Sequence, residues 1–143
     1  MVSIIIFEFY SKSNSFNPFV TFFGFAIFFM ALLLRWKGIL ILGDRWSIHS
    51  ISKINTKSNN ELIKTSLYKY IRHPIYLGFI LEILSLPLIL NLYFTFYFSV
   101  IFFVPLILYK AYLEEKELIR EFKDEYTKYR AEVAAFVPLK VLK

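Results

Sequence analysis

The sequence predicts an all-α integral membrane protein: about three transmembrane helices, a short N-terminal apolar segment and a C-terminal amphipathic helix. Three observations predict it. Of the 143 residues, 57 % are hydrophobic and 20 % aromatic, against roughly 45–50 % apolar residues in soluble domains. Two long stretches, Phe19–Leu34 and Pro74–Tyr109, carry between them one formal charge, Glu82. All the basic residues behind the net charge of +6 except Lys12 lie between and after those stretches. That placement fits anionic lipid headgroups and a bilayer partner, not nucleic acid.

The length suits a single domain over 1–143. Met1–Tyr10 is apolar apart from Ser3 and Glu8 but too short to span, since a span needs about 20 residues. It reads as interfacial, re-entrant or the remainder of a longer helix. No basic region precedes it and no small-residue cleavage site follows, which argues against a cleaved signal peptide. Ser11–Asn17 is a polar connector, and Pro18 suits a first helical turn.

The first long helix covers 18–43, with Arg35, Trp36 and Lys37 at a membrane boundary. Segment 44–73 is a polar loop with short ordered pieces, crowded with Ser, Asn and Lys at 52–61. Segment 74–109 is too long for one ordinary span and just enough for two short ones. Asn91 is the best turn, giving helices near 75–90 and 92–109 that Pro87 and Pro105 can kink. Loop 44–73 holds Arg45, Lys53, Lys57, Lys64, Lys69 and Arg72, whereas the turn at Asn91 has no basic residue. By the positive-inside rule, loop 44–73 and the C-terminus are cytoplasmic.

The last segment, 110–138, is a charged helix and tail. Leu118, Phe122, Tyr126, Tyr129, Val133 and Phe136 recur every three or four residues and predict one apolar stripe. Glu115 falls on that stripe and Glu114 beside it.

Candidate chemistry gathers at the two polar ends of the hairpin. Pro74 is placed as the first residue of a helix with His73 at its cap, and a helix N-terminus attracts anions. Arg72 and His73 add donors at the same height, so a ligand carboxylate or phosphate is favoured there. Interfacial anchoring by Arg72 and Lys69, with His73 as a plain cap, accounts for the same residues equally well. Glu114 and Glu115 suit a ligand ammonium, or surface pairing with Lys110 or Lys116. Glu82 needs a partner inside the bilayer, and Arg35 is the expected donor. The chain has no cysteine and only two histidines, His49 and His73. Disulfides, thiolate metal sites and a catalytic thiol are excluded, and no metal site is expected.

LGDRWS at 42–47, ELIKTSLYKYIRHPIYLG at 61–78, EEKELIREFKDEYTKY at 114–129 and FVP at 136–138 resemble the isoprenylcysteine carboxyl methyltransferase family, which is related to membrane phospholipid methyltransferases. The resemblance covers about residues 38–138. It implies a membrane methyltransferase using S-adenosylmethionine, with a hydrophobic or lipid-like acceptor entering from the bilayer and no protein nucleophile. It implies cofactor contacts at Leu62, Ile63, Tyr68, His73, Pro74, Tyr76 and Glu114. Asn60 stands where relatives can have His, and Arg72 lies within the same motif. Lys110 stands at the position of a substrate-side Arg, keeping the charge without the bidentate fork. Ser66 and Leu67 replace the usual Gly-Pro-like pair. A membrane reductase related to sterol reductases shares an RHPxYxG-like segment, and a non-catalytic membrane protein is the third reading.

Overall fold

In a computed structural model the chain is described over residues 2–11, 16–43 and 62–138. It is an all-α membrane protein. Helix α1 covers Val2–Ser11, α2 Pro18–Leu42 and α3 Pro74–Ile89, and a 3₁₀ turn covers Ser66–Lys69. Helix α4 covers Tyr93–Phe98, a π-helical turn Ser99–Phe103, and α5 Val104–Glu132. Two helical stretches, Pro18–Leu42 and the continuous run Tyr93–Glu132, are long and apolar enough to cross a bilayer. Helix α3 has 16 residues, or ~24 Å, short of a hydrocarbon core about 30 Å thick.

Helices α2 and α3 form the tightest seam. Three glycines line it: Gly24 against Ile89, Gly38 against Ile75, and Gly78 against Ala31 and Arg35. A Cβ on Gly78 would stand 2.9 Å from the Ala31 carbonyl oxygen, so only a hydrogen lets the backbones approach this closely. Lipid offers helices little hydrophobic reason to associate, and such small-residue contacts supply it instead. Arg35 on α2 pairs with Glu82 on α3 inside the seam, as expected. The half-exposed Arg35 side chain also sets its guanidinium over the Phe79 ring at 5.9 Å. Glu82 Oε1 is buried without a hydrogen-bond partner.

The hairpin turn falls at Asn91, as the sequence predicts, with φ of 55°. Asn tolerates that left-handed conformation better than most residues. Its side chain also ties the turn to α2: Nδ2 donates to Thr21 Oγ1 at 2.7 Å, and Oδ1 accepts from the Asn17 amide at 3.0 Å. Asn17 in turn caps α2 through the amides of Phe19 and Val20. Glu8 gives α1 its role. Its carboxylate accepts from the Phe94 and Thr95 amides at 2.8 and 2.7 Å and from Thr95 Oγ1 at 2.6 Å. A residue distant in sequence thereby caps the second half of the hairpin.

Two expectations change. The second hairpin helix does not stop at 109 but runs unbroken into α5. Pro105 lacks an N–H, and the preceding turn adopts π geometry, with the Val104 amide donating to Ser99 O. The stripe from Leu118 to Phe136 does not lie along one straight helix either. At Lys123 (φ 46°, ψ −120°) α5 reverses, so that 124–132 fold back on 104–122. Tyr126, Tyr129 and Val133 then pack on Leu118, Ile119, Phe122 and Leu62. Burial of two tyrosines offsets a backbone conformation that costs of order 1–3 kcal/mol. The chain leaving α5 pairs with the approach to α3 through a parallel bridge between Ile71 and Ala134.

Candidate functional site

The reversal at Lys123 builds the site. The amides of Arg72 and His73, just before α3, donate to the carbonyls of Ala134 and Ala135 at 2.9 and 3.0 Å. The Tyr129 hydroxyl donates to the Tyr68 carbonyl at 2.6 Å. These bonds hold the entrance of α3 against the tail, and both face the outer turns of α5.

Glu115 lies where these three pieces meet. Its Oε1 is 2.9 Å from Arg72 Nη2 and 3.0 Å from His73 Nε2, and its Oε2 is 3.2 Å from Arg130 Nε. In a straight helix residues 115 and 130 would stand ~22 Å apart. The side chains of Glu115, Arg72 and His73 are only 9, 9 and 4 % exposed. Burial pushes the Glu115 carboxyl up, but the His73 hydrogen bond and the charges of Arg72, His73 and Arg130 outweigh it. The pKa is therefore held below the ordinary carboxylate value. Arg72 also donates through Nη1 to the Arg130 carbonyl at 3.0 Å, while its Nε is buried without a partner. The donors that the sequence offers to a ligand carboxylate are thus engaged by a carboxylate of the chain itself.

Glu114, one residue earlier, points elsewhere. It stands against the Tyr76 hydroxyl and lines an open cleft of about 490 Å³ with Tyr76, Lys110, Leu113 and Leu118 and the charged side chains of Lys116, Glu117, Arg120 and Glu121. Lys110 Nζ lies 5.8 Å from the centre of the Tyr76 ring. Its ammonium over an aromatic face sets a cation at the level where α5 leaves the apolar region. That volume is within the range of small-molecule sites.

The sequence-predicted residues therefore separate into groups. Tyr76, Glu114 and Lys110 meet at the cavity. Arg72 and His73 meet at Glu115, with Pro74 buried behind them and the His73 ring between Tyr76 and Phe136, at 5.7 and 5.6 Å. Tyr68 is buried in the 3₁₀ turn and Leu62 packs on the Tyr126 cluster, while Ile63 is half-buried nearby in sequence. Asn60 lies outside the described residues. Burial, with Glu114 next in effect, raises the Tyr68 hydroxyl well above its ordinary range. Burial likewise pushes Tyr129 up to about 12. These phenols are neutral hydrogen-bonding groups, not bases, at physiological pH.

Sequence reasoning gave Arg130 no role, and it offered Glu115 to a ligand ammonium or to surface pairing rather than to Arg72 and His73. A glutamate on an apolar stripe was the available signal for Glu115. Arg130 had none, since only the turn at Lys123 brings it back. Among the described residues no cluster of His, Asp and Glu has the arrangement of a metal site.

Comparison with known proteins agrees with the motif pattern. Residues 23–120 match the family model described as isoprenylcysteine carboxyl methyltransferase (ICMT) family. The chain is 39 % identical over 74 residues to methanethiol S-methyltransferase 1 of Bradyrhizobium diazoefficiens, covering 50 % of this chain and 24 % of that protein. It is 32 % identical over 112 residues to protein-S-isoprenylcysteine O-methyltransferase of Schizosaccharomyces pombe, covering 74 % and 44 %. It is 32 % identical over 93 residues to uncharacterized protein YpbQ of Bacillus subtilis, covering 65 % and 53 %. The chain thus spans between about a quarter and about half of the length of these relatives.

Proposed function

The chain belongs to the isoprenylcysteine carboxyl methyltransferase family, and from that premise we propose that it is a membrane methyltransferase that uses S-adenosylmethionine. The observation that carries the proposal is the cavity where Tyr76, Glu114 and Lys110 converge beside the N-terminus of α3. Its lining offers such a ligand the Glu114 carboxylate for an ammonium and the Tyr76 ring for a sulfonium.

In this reading Tyr76 and Glu114 face the cofactor. Asn60, Leu62, Ile63, Tyr68, His73 and Pro74 carry over from the family pattern as its further contacts, with Arg72 beside them. S-adenosylmethionine supplies an activated methyl group on a sulfonium. Tyr76 and Glu114 would hold it with that methyl offered to the acceptor's lone pair, the carbon–sulfur bonding electrons returning to sulfur. In-line displacement of this kind is promoted by positioning and electrostatics and needs no protein nucleophile. Lys110, at the membrane exit of α5, is placed to hold an anionic acceptor group. The acceptor is hydrophobic or lipid-like, a carboxylate or thiol by analogy with the relatives' names. Loop 44–73 and the C-terminus lie on the cytoplasmic side, where the methyl donor is dissolved.

The test is binding of S-adenosylmethionine to the full chain in lipid nanodiscs, by titration calorimetry. Glu114→Ala and Tyr76→Ala should each weaken binding at least tenfold. A folded wild type that does not bind overturns the proposal. A methyl-transfer screen over prenylated thiols, prenylcysteine carboxylates and small thiols then identifies the acceptor.

A further inference from the structure

Glu114 and Glu115 are adjacent in sequence and opposite in circumstance. Glu114 lines the cavity, whereas Glu115 does not and has both oxygens committed within the chain. Neighbouring residues of a helix project about 100° apart, so fixing the direction of one fixes the other. We propose that Glu115 is a positioning residue: by holding Arg72, His73 and Arg130 at once, it sets the rotation and height of α5 and thereby aims Glu114 at Tyr76 and the cavity. The inference rests on the cofactor reading above and assigns that site its alignment device.

The apolar contacts of α5 hold it in place without fixing its rotation. Within the apolar region it meets α3 through Ile80, Ile83 and Ile107, with Tyr76, Leu84, Phe103 and Val104 around them. Aliphatic contact of this kind is non-directional and tolerates sliding and turning. The contacts of Glu115 are directional and point to separate anchors. Arg72 and His73 are themselves held by backbone bonds to Ala134 and Ala135, and Arg130 by its place on the returning helix. One carboxylate thus joins α5 to both the approach to α3 and the tail. Its side chain is as buried as that of Arg72, and both of its oxygens are engaged within the chain.

The absence of cysteine makes the test direct. Spin labels on Phe79→Cys of α3 and Leu106→Cys of α5, both exposed side chains, report the relation of the two helices in nanodiscs by pulsed electron resonance. Glu114→Ala should lose S-adenosylmethionine binding at least tenfold and leave the distance distribution unchanged. Glu115→Ala should lose binding at least fivefold and also broaden or shift the distribution. Arg130→Gln, at a half-exposed side chain that removes one anchor only, should do the same to a smaller degree, and serves if Glu115→Ala does not fold. Loss of binding in Glu115→Ala with an unchanged distribution overturns positioning in favour of direct contact. Unchanged binding and distribution together overturn it as well. If the wild type binds no S-adenosylmethionine, the distribution still decides the alignment, and a broadening in Glu115→Ala upholds it while the cofactor reading fails.

Discussion

Glu82 and Glu115 are both buried glutamates that pair with arginine, yet the protein satisfies them in opposite ways. Glu82 sits in the α2–α3 seam with one partner, Arg35, and one oxygen left bare. Glu115 sits just beyond the apolar region with three partners, two arginines and a histidine, and neither oxygen bare. The seam is held mainly by glycine-mediated backbone approach, so its ion pair adds a directional detail to packing that already exists. At Glu115 the packing of Tyr126, Tyr129 and Val133 on Leu118, Ile119 and Phe122 brings the pieces together, and the polar contacts add direction from three sides. The difference teaches where charge is an accessory and where it ties together what packing has gathered.

The largest effect should come from breaking the second region. Glu115→Leu leaves Arg72 buried without its counter-charge and His73 without its hydrogen-bond partner, and should cost about 3 kcal/mol of stability, the low end for breaking a buried pair. Thermal unfolding in detergent would show it as a lower midpoint, and an unchanged midpoint would show that the cluster carries no structural load. Next comes the seam. Arg35→Met or Glu82→Met alone should each cost roughly 2 kcal/mol by stranding a charge near lipid, whereas the double variant should return close to wild type, as often found when a buried ion pair is replaced by apolar side chains. Matched losses in the singles and the double would erase the contrast with Glu115, whose three partners cannot be replaced so simply.

A smaller, pH-dependent effect sharpens the same contrast. The Glu115 pKa is lowered by folding, so its contribution is complete above the ordinary carboxylate value of about 4.3. From there it is lost progressively as pH falls through the lower folded-state value. Unfolding midpoints followed downward from pH 5 should drop more steeply in wild type than in Glu115→Gln. Parallel curves would assign the acid loss to other carboxylates. The smallest effect lies in the 3₁₀ turn before the cluster. Ser66 has φ of 55°, a conformation that glycine adopts without strain. Ser66→Gly should stabilise the chain by about 0.5–1 kcal/mol; a destabilised variant would mean that the hydroxyl has a role of its own.

These two regions also differ in how far the sequence revealed them. The seam was legible. An uninterrupted apolar pattern located the helices, Asn91 stood out as the turn, and a lone carboxylate in hydrocarbon demanded Arg35. Each inference followed from a local energetic necessity. The cluster was legible only in part. Arg72 and His73 could be placed at the helix entrance and the glutamates on the far side of the hairpin. Their partners depended on a reversal at Lys123, a residue with no marked turn preference, imposed by the packing of Tyr126, Tyr129 and Val133 on Leu118, Ile119 and Phe122. Glycine or proline would have announced that turn. Nor does an isolated acidic residue amid apolar segments announce a cap, which is why Glu8 reads at first as an oddity of a short helix.

The bridge between Ile71 and Ala134 has a consequence for the order in which the molecule comes together. The spans up to 109 can enter a bilayer and associate through the glycine seam as soon as they are made. Until residues 130–135 have been synthesised, Glu115 has no Arg130 and the Arg72 and His73 amides have no Ala134 or Ala135 carbonyls to bind. The glycine seam thus needs nothing beyond residue 89, whereas the polar cluster cannot form until residues 130–135 have been made.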